Sequence, residues 1–252
     1  MRKLLITLLA GYCLSAQAYF FDVRVPVQDE WAKQEYNIGL MLMTQPTPAP
    51  TIIALHTCFG LDPHEIGWAQ LYQSYGYNVV LPDSFEDRGF VNVCMGVGPP
   101  GKAWGRTFDI EYIANWIKKQ PWHKGKIGVI GWSHGGTAIN LFGPTKRAKS
   151  SVDAMVSYYG ECITEREKNP LVPIQMHIAG KDDWTLPRPC IALKDYNHPN
   201  YDINVYPDAY HSFDIPVGPR VKWGGHMLAW DEYATTQSAI KTQQFFEKHL
   251  KE

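Results

Sequence analysis

The chain has 252 residues, 45% of them hydrophobic and 19% charged, with a formal net charge of −1. Such a composition lies far from the low-hydrophobicity, high-charge range of disordered chains, and the length is enough for one large domain or two small ones. Near-neutrality excludes the basic footprint that DNA, RNA or anionic lipid would require, so no nucleic-acid partner is expected.

Residues 1–18 read as an export leader. Arg2 and Lys3 make a positive start, residues 4–13 are largely apolar, and Ala16-Gln17-Ala18 is an A-x-A cleavage site. The apolar run is shorter than the ~20 residues a bilayer span needs. Tyr12 stands where a lipoprotein signal would place a small residue before Cys13. Periplasmic or secreted release is therefore expected, with no membrane span in the mature chain. Cleavage takes the net charge from −1 to −3 and leaves Cys58, Cys94, Cys162 and Cys190. An even number of cysteines in an exported chain favours disulfides over redox or metal chemistry.

Along the mature chain, residues 21–27 and 36–43 alternate or run apolar like early strands, ahead of a proline-rich turn at 46–50. Residues 51–56 are a short buried run of the kind that parallel central strands show, and 78–81, 126–130, 154–158, 174–179 and 203–206 read as further strands. Helical patterns fall between them at 65–75, 107–119 and 135–142, and a last helix is expected over 231–250. Residues 83–105 are rich in Gly and Pro and read as a functional loop. Strands alternating with helices predict an α/β fold, a mostly parallel central sheet flanked by helices. No linker interrupts the pattern, so residues 19–252 are expected to form a single domain.

The motif that carries chemistry is Gly131-Trp132-Ser133-His134-Gly135-Gly136, a G-x-S-x-G sequence set between a strand and a helix. In that context the glycines allow strand and helix to pack around a strained turn, and Ser133 projects at the start of a helix. The N–H of His134 is then placed to stabilise an oxyanion. A serine hydroxyl needs a base, and the base an orienting carboxylate, following it in the order serine, acid, histidine. The strand at 174–179 leads to Asp182 and Asp183, and that at 203–206 to His211. We expect His211 as base and Asp183 as acid, with Asp182 in reserve, because spacing does not separate neighbours. His56, at the end of the third strand, is placed to order the loop that follows it.

A stretch at Gly96, Gly101 and Lys102 imitates a phosphate-binding loop. Ala103 replaces its Ser/Thr, and Pro99 and Pro100 lack the N–H groups that would cradle phosphate. No metal motif such as H-E-x-x-H occurs, so neither a metal nor another cofactor is expected.

Further sequences carry a resemblance: Leu55-His-Thr-Cys-Phe-Gly-Leu61, Leu81-Pro-Asp-Ser-Phe85 with Arg88-Gly89, Gln120-Pro-Trp122, Asp182-Asp-Trp-Thr185, and Tyr206-Pro-Asp-Ala-Tyr-His-Ser-Phe-Asp214. Together with the serine motif, they make the chain similar to the dienelactone hydrolase-like branch of the α/β-hydrolases, particularly its exported members. The likeness implies a Ser133–Asp183–His211 triad, a second oxyanion amide near Cys58, and hydrolysis of a small-molecule ester or lactone. Ser133 stands where the dienelactone-cleaving members carry cysteine, and Thr57 and Phe59 where their loop carries glycine, so the expected substrate stays at carboxylic esters or lactones. Phe59, Trp104, Trp132 and Trp184 are candidates for the pocket wall, and Arg88 or Arg106 for a substrate carboxylate. A serine peptidase of the same fold and a catalytically silent binding protein are the alternatives.

Four cysteines allow three pairings. Cys58 and Cys94 follow two early strands and Cys162 and Cys190 two later ones, so a parallel sheet would bring each pair to one carboxyl edge. Cys58–Cys94 and Cys162–Cys190 are the expected bonds.

Overall fold

The computed structural model describes residues 21–94, 101–163, 165–216 and 221–252. The expected leader and residues 96–100 of the phosphate-loop imitation lie outside the described residues. In chain order the first strands are β1 (Val23–Asp29), β2 (Gln34–Met43), β3 (Ala49–Leu55), β4 (Asn78–Asp83) and β5 (His123–Trp132). They are followed by β6 (Ala154–Tyr158), β7 (Ile174–Ala179) and β8 (Tyr201–Tyr206). These build one sheet in the order β1-β2-β4-β3-β5-β6-β7-β8. β2 pairs antiparallel with β1 and β4, and every other pairing is parallel.

The helices are α1 (Pro63–Ser74), α2 (Gly101–Ile117), α3 (His134–Phe142), α4 (Lys146–Ser151), α5 (Pro187–Ile191) and α6 (Glu232–Phe246), the last running into a wide final turn at Glu247–Lys251. Strand periodicity divides the apolar side chains between two cores. Ile127 and Val129 of β5 join Ile110, Ile113 and Ile117 of α2 and Ile139 and Phe142 of α3 on one face. Ile130 and Trp132 point the other way, to Ala69 and Tyr72 of α1 and Phe246 of α6. With both faces covered, the central strands read as continuous apolar runs rather than alternating ones.

Besides the short helices α4 and α5, which the sequence pattern did not mark, two outcomes differ from it. Helix α2 begins at Gly101, inside the stretch expected to be loop. Gly101 and Gly105 are weak helix formers, but Ala103 and Arg106 are buried there, and burial overrides propensity. The chain also makes a small hairpin of β9 (Val221–Trp223) and β10 (His226–Leu228), whose strands are too short to show a period. Its turn is Gly224-Gly225, with φ of 58° and 95°, the two positive values a tight two-residue hairpin requires.

Both expected disulfides are present. Cys58–Cys94 and Cys162–Cys190 span 36 and 28 residues with Cα–Cα separations of 4.9 and 5.3 Å. In the chain-entropy account each stabilises by roughly 3–4 kcal/mol. Such bonds fit an oxidising compartment. Among the described residues no helix is long and apolar enough to cross a membrane.

Candidate active site

β5 ends in the turn that presents Ser133. The Ser133 backbone has φ 51° and ψ −112°, a conformation that side-chain-bearing residues seldom adopt. The turn is held by Ser133 N–H donating to the Tyr158 carbonyl (2.9 Å) and Thr137 N–H donating to the Ser133 carbonyl (2.8 Å). A Cβ on Gly131 would stand 2.6 Å from the Gly135 carbonyl carbon, and one on Gly135 would stand 2.5 Å from the Leu55 carbonyl oxygen. Only glycine lets α3 start this close to β5 and β3.

Loops at the carboxyl ends of β7 and β8 bring the other groups. His211 Nε2 lies 3.0 Å from Ser133 Oγ, and its Nδ1 lies 2.7 Å from Asp182 Oδ2. All three residues are buried, with 6%, 1% and 5% exposure for Ser133, His211 and Asp182. The carboxylate facing His211 is therefore Asp182, which corrects the expectation of Asp183. Asp182 closes its own turn, accepting the N–H groups of Trp184 and Thr185 (both 2.9 Å) and the Thr185 hydroxyl (2.7 Å). Its neighbour turns outward. The Asp183 side chain is 52% exposed and accepts the Met227 N–H of β10 at 3.0 Å. Burial pushes the Asp182 carboxyl up, but the facing imidazole and the hydrogen bonds outweigh it and hold the group below its usual range.

The candidate oxyanion amide of Cys58 lies in the turn after β3. Thr57 N–H donates to Glu65 Oε1 at 2.9 Å and Phe59 N–H to Thr57 Oγ1 at 3.2 Å. Among the described residues the intervening Cys58 N–H has no acceptor. Its disulfide to Cys94 and a Val93 N–H bond to its carbonyl (2.8 Å) fix its position. His134 supplies the first N–H of α3, directly after Ser133. His56 braces this turn: its Nδ1–H donates to the Thr57 carbonyl at 2.7 Å and its Nε2 accepts the Ser84 N–H at 3.1 Å. Burial, together with the nearby Arg106 charge, keeps the His56 ring neutral by lowering its pKa well below the ordinary value.

Sequence reasoning missed a second polar cluster beneath the site. Glu65 closes a capping box with Asp62 at the start of α1, a pattern visible as Asp62-x-x-Glu65. His64 Nε2 lies 3.0 Å from Asp214 Oδ2, and Asp214 also accepts Tyr159 OH at 2.6 Å and Trp68 Nε1–H at 3.1 Å. Tyr159 packs its ring 4.8 Å from that of His211. Asp62, His64 and Glu65 hold metal-type ligand atoms within 4.8 Å of one another, and the Asp62 and Glu65 carboxylates among them are already engaged in these hydrogen bonds.

The remaining candidates divide. Phe59 and Trp184 lie beside the site: Trp184 is 5.1 Å from the His211 ring, and Phe59 is next to Cys58 and 40% exposed. Trp132 does not line it. Its ring is fully buried against Trp68 and Tyr158, because residues preceding and following a strand's inward face alternate sides. Trp104 packs on the α2-side core. Arg88 is a brace rather than a carboxylate receptor: it forks onto Asp109 (2.7 and 3.0 Å) and bonds the Ser84 carbonyl (2.8 Å). Arg106 is buried, donates to His134 Nδ1 at 3.0 Å, and is pushed down to about 10, mainly by burial.

The chain and its fold have relatives. The chain is 26% identical over 186 residues to a carboxymethylenebutenolidase of Pseudomonas putida, covering 66% of this chain and 75% of that protein. Among solved structures, a dienelactone hydrolase-like promiscuous phosphotriesterase from metagenomic libraries superposes with a TM-score of 0.72 at 16% identity, over 90% of this chain and 97% of its own. An esterase of Pyrococcus furiosus gives 0.62 at 17% identity, over 90% and 92%. These likenesses support the α/β-hydrolase fold. Residues 38–250 match the Dienelactone hydrolase family, and the chain belongs to that family of hydrolases.

Proposed function

We propose that this protein is an exported serine hydrolase that cleaves carboxylic esters or lactones through an acyl-enzyme. The observation that carries the reading is the continuous file from Ser133 Oγ to His211 Nε2 (3.0 Å) and from His211 Nδ1 to Asp182 Oδ2 (2.7 Å), set on a strained elbow. Ser133 Oγ attacks the carbonyl carbon while its proton passes to His211 Nε2. The N–H groups of His134 and Cys58 receive the charge that develops on the carbonyl oxygen. The tetrahedral adduct collapses, and His211 gives the proton to the leaving alkoxide. Water, deprotonated by the same nitrogen, then releases the acid and restores Ser133. Asp182 keeps the Nδ1–H tautomer and stabilises the imidazolium without taking its proton.

The lactone part of the reading rests on the name of the Pseudomonas relative. Export rests on the pattern of residues 1–18 and on the two disulfides, with residues 19–252 as the mature single domain. The test is a panel of short-acyl p-nitrophenyl esters and small lactones with wild type and Ser133→Ala. Turnover in the variant should fall to near background, and a fluorophosphonate should label wild type alone. Retained turnover in Ser133→Ala would end the proposal.

A further inference from the structure

An unbroken file of aromatic rings runs from Phe59 to His211, and the hairpin that sequence reasoning missed completes it. Phe59, next to the Cys58 amide, meets Trp223 of β9 edge-on at 4.7 Å. Trp223 stacks on Trp184 at 5.1 Å with 25° between planes, and Trp184 lies 5.1 Å from the ring of His211. His226, paired with Trp223 across the hairpin, also stacks on Trp184 at 4.9 Å and 11°. The file therefore joins the oxyanion turn to the base.

It is also held from three sides. The Cys58–Cys94 disulfide and a small apolar cluster of Phe85 and Val93, against which Trp184 packs, support one end. Asp183 anchors the hairpin, its carboxylate accepting the Met227 N–H and its carbonyl accepting His226 Nδ1–H, both at 3.0 Å. A bridge between His211 and Leu228 ties β10 to the histidine loop. Rings fixed this way lose little freedom when a ligand arrives. They are nonetheless incompletely covered: Phe59 is 40% exposed, and Trp184 and Trp223 are half-buried. Rigid, uncovered aromatic surface beside a reactive centre is the character of a substrate subsite.

On the reading of Ser133 and His211 given above, we propose that the Phe59–Trp223–Trp184 wall is the leaving-group subsite and that preferred substrates are esters whose alcohol part carries an aromatic ring. The side follows from the chemistry. The leaving oxygen must take its proton from His211 Nε2, so the alcohol departs along the flank of His211, beside which Trp184 stands with Trp223 stacked on it. The ring class follows from the wall, which offers π-faces and edges that favour a stacked or edge-on aromatic partner over an aliphatic one of equal size.

Matched substrates test this. Benzyl acetate and cyclohexylmethyl acetate both release primary alcohols, so their kcat/KM ratio reports ring recognition rather than leaving-group strength. Aromatic pairing beyond simple burial corresponds to roughly three- to tenfold, and wild type should favour benzyl acetate by that amount. Trp223→Leu should bring the ratio to near one, and Trp223→Phe, which keeps a ring, should retain most of it. Phe59→Leu, on the disulfide-tethered turn, should lower the ratio independently of the hairpin. A wild-type ratio near one, a ratio unchanged in both Leu variants, or a preference seen only with methyl phenylacetate over methyl cyclohexylacetate would overturn the proposal. Loss of the parent reading is separately visible, as hydrolysis of either acetate by Ser133→Ala.

Discussion

The protein holds two buried histidine–aspartate pairs, and only one of them also meets a serine hydroxyl. His211 meets Asp182 at 2.7 Å and His64 meets Asp214 at 3.0 Å, and each carboxylate takes further hydrogen bonds. The difference is at the second ring nitrogen. His211 Nε2 faces a serine hydroxyl at 3.0 Å, whereas His64 Nδ1 faces Glu65 Oε1 at 3.7 Å. An imidazole between a carboxylate and a hydroxyl can take a proton and return it. One between two carboxylates is held charged: burial pushes the His64 ring down, but Asp214 and Glu65 prevail and raise it well above the usual histidine range. Burial pushes Asp214 up in turn, and the His64 charge outweighs it and keeps that carboxyl low. A histidine–carboxylate pair is thus not itself a sign of catalysis; the partner on the far nitrogen decides.

The largest expected effect comes from breaking the reactive pair. Asp182→Asn removes the acceptor for His211 Nδ1–H and favours the wrong tautomer, so kcat should drop by about 10⁴. Asp183→Asn touches the hairpin anchor and should cost less than tenfold. Steady-state kinetics of the two variants on one ester decide the assignment, and the reverse ranking would return the role to Asp183.

A smaller effect is expected from the static pair, through Glu65. This side chain fixes the Thr57 N–H and thereby the turn that aims the Cys58 amide. Loss of an oxyanion donor costs about 10²–10³, so misaiming one through Glu65→Ala should lower kcat by roughly 10²-fold with KM changed little. Glu65→Gln keeps an oxygen for Thr57 and should recover most of the rate. Equal losses in the two variants, or a loss confined to KM, would show that Glu65 serves only the helix cap.

The smallest effect is on stability against pH. A folded pKa raised above the unfolded ~6.5 means that the His64 contribution is complete below that value and is lost as pH rises through the folded one. Within that window the slope is about 1.4 kcal/mol per pH unit for one proton. Asp62, pushed up to about 7 by burial and by Glu65, loses its contribution earlier, as pH rises from the ~4 of the unfolded carboxyl to about 7. Chemical denaturation of wild type should therefore show stability falling on the alkaline side, and His64→Gln should remove the His64 part of that fall while leaving the Asp62 slope below about pH 7. An unchanged slope in His64→Gln would place the charge elsewhere.

Much of this was legible in the residues alone. The runs at 154–158 and 174–179 marked β6 and β7 to the residue, because strands covered on both faces are mostly apolar and their few polar side chains, Ser157, Gln175 and His177, are buried in hydrogen bonds. The elbow was legible because only glycine tolerates its close contacts, and the two disulfides because four cysteines fell at loops of one sheet edge. The family likeness rested on the same motifs.

What the sequence could not determine was direction in space. Asp182 and Asp183 are identical in type and adjacent, yet a turn sends consecutive side chains to opposite sides, one to His211 and the other to the hairpin. Trp132 neighbours the serine in sequence but alternation on β5 sends its ring into the core, whereas Trp223, 90 residues away, reaches the site because a two-glycine turn folds it back. Arg88 lay next to a functional loop in sequence, and only packing showed that Asp109 holds it. Composition and periodicity determine which residues are buried and in what element. Which buried groups meet is decided by contacts between distant segments, and those exist only once the chain has folded.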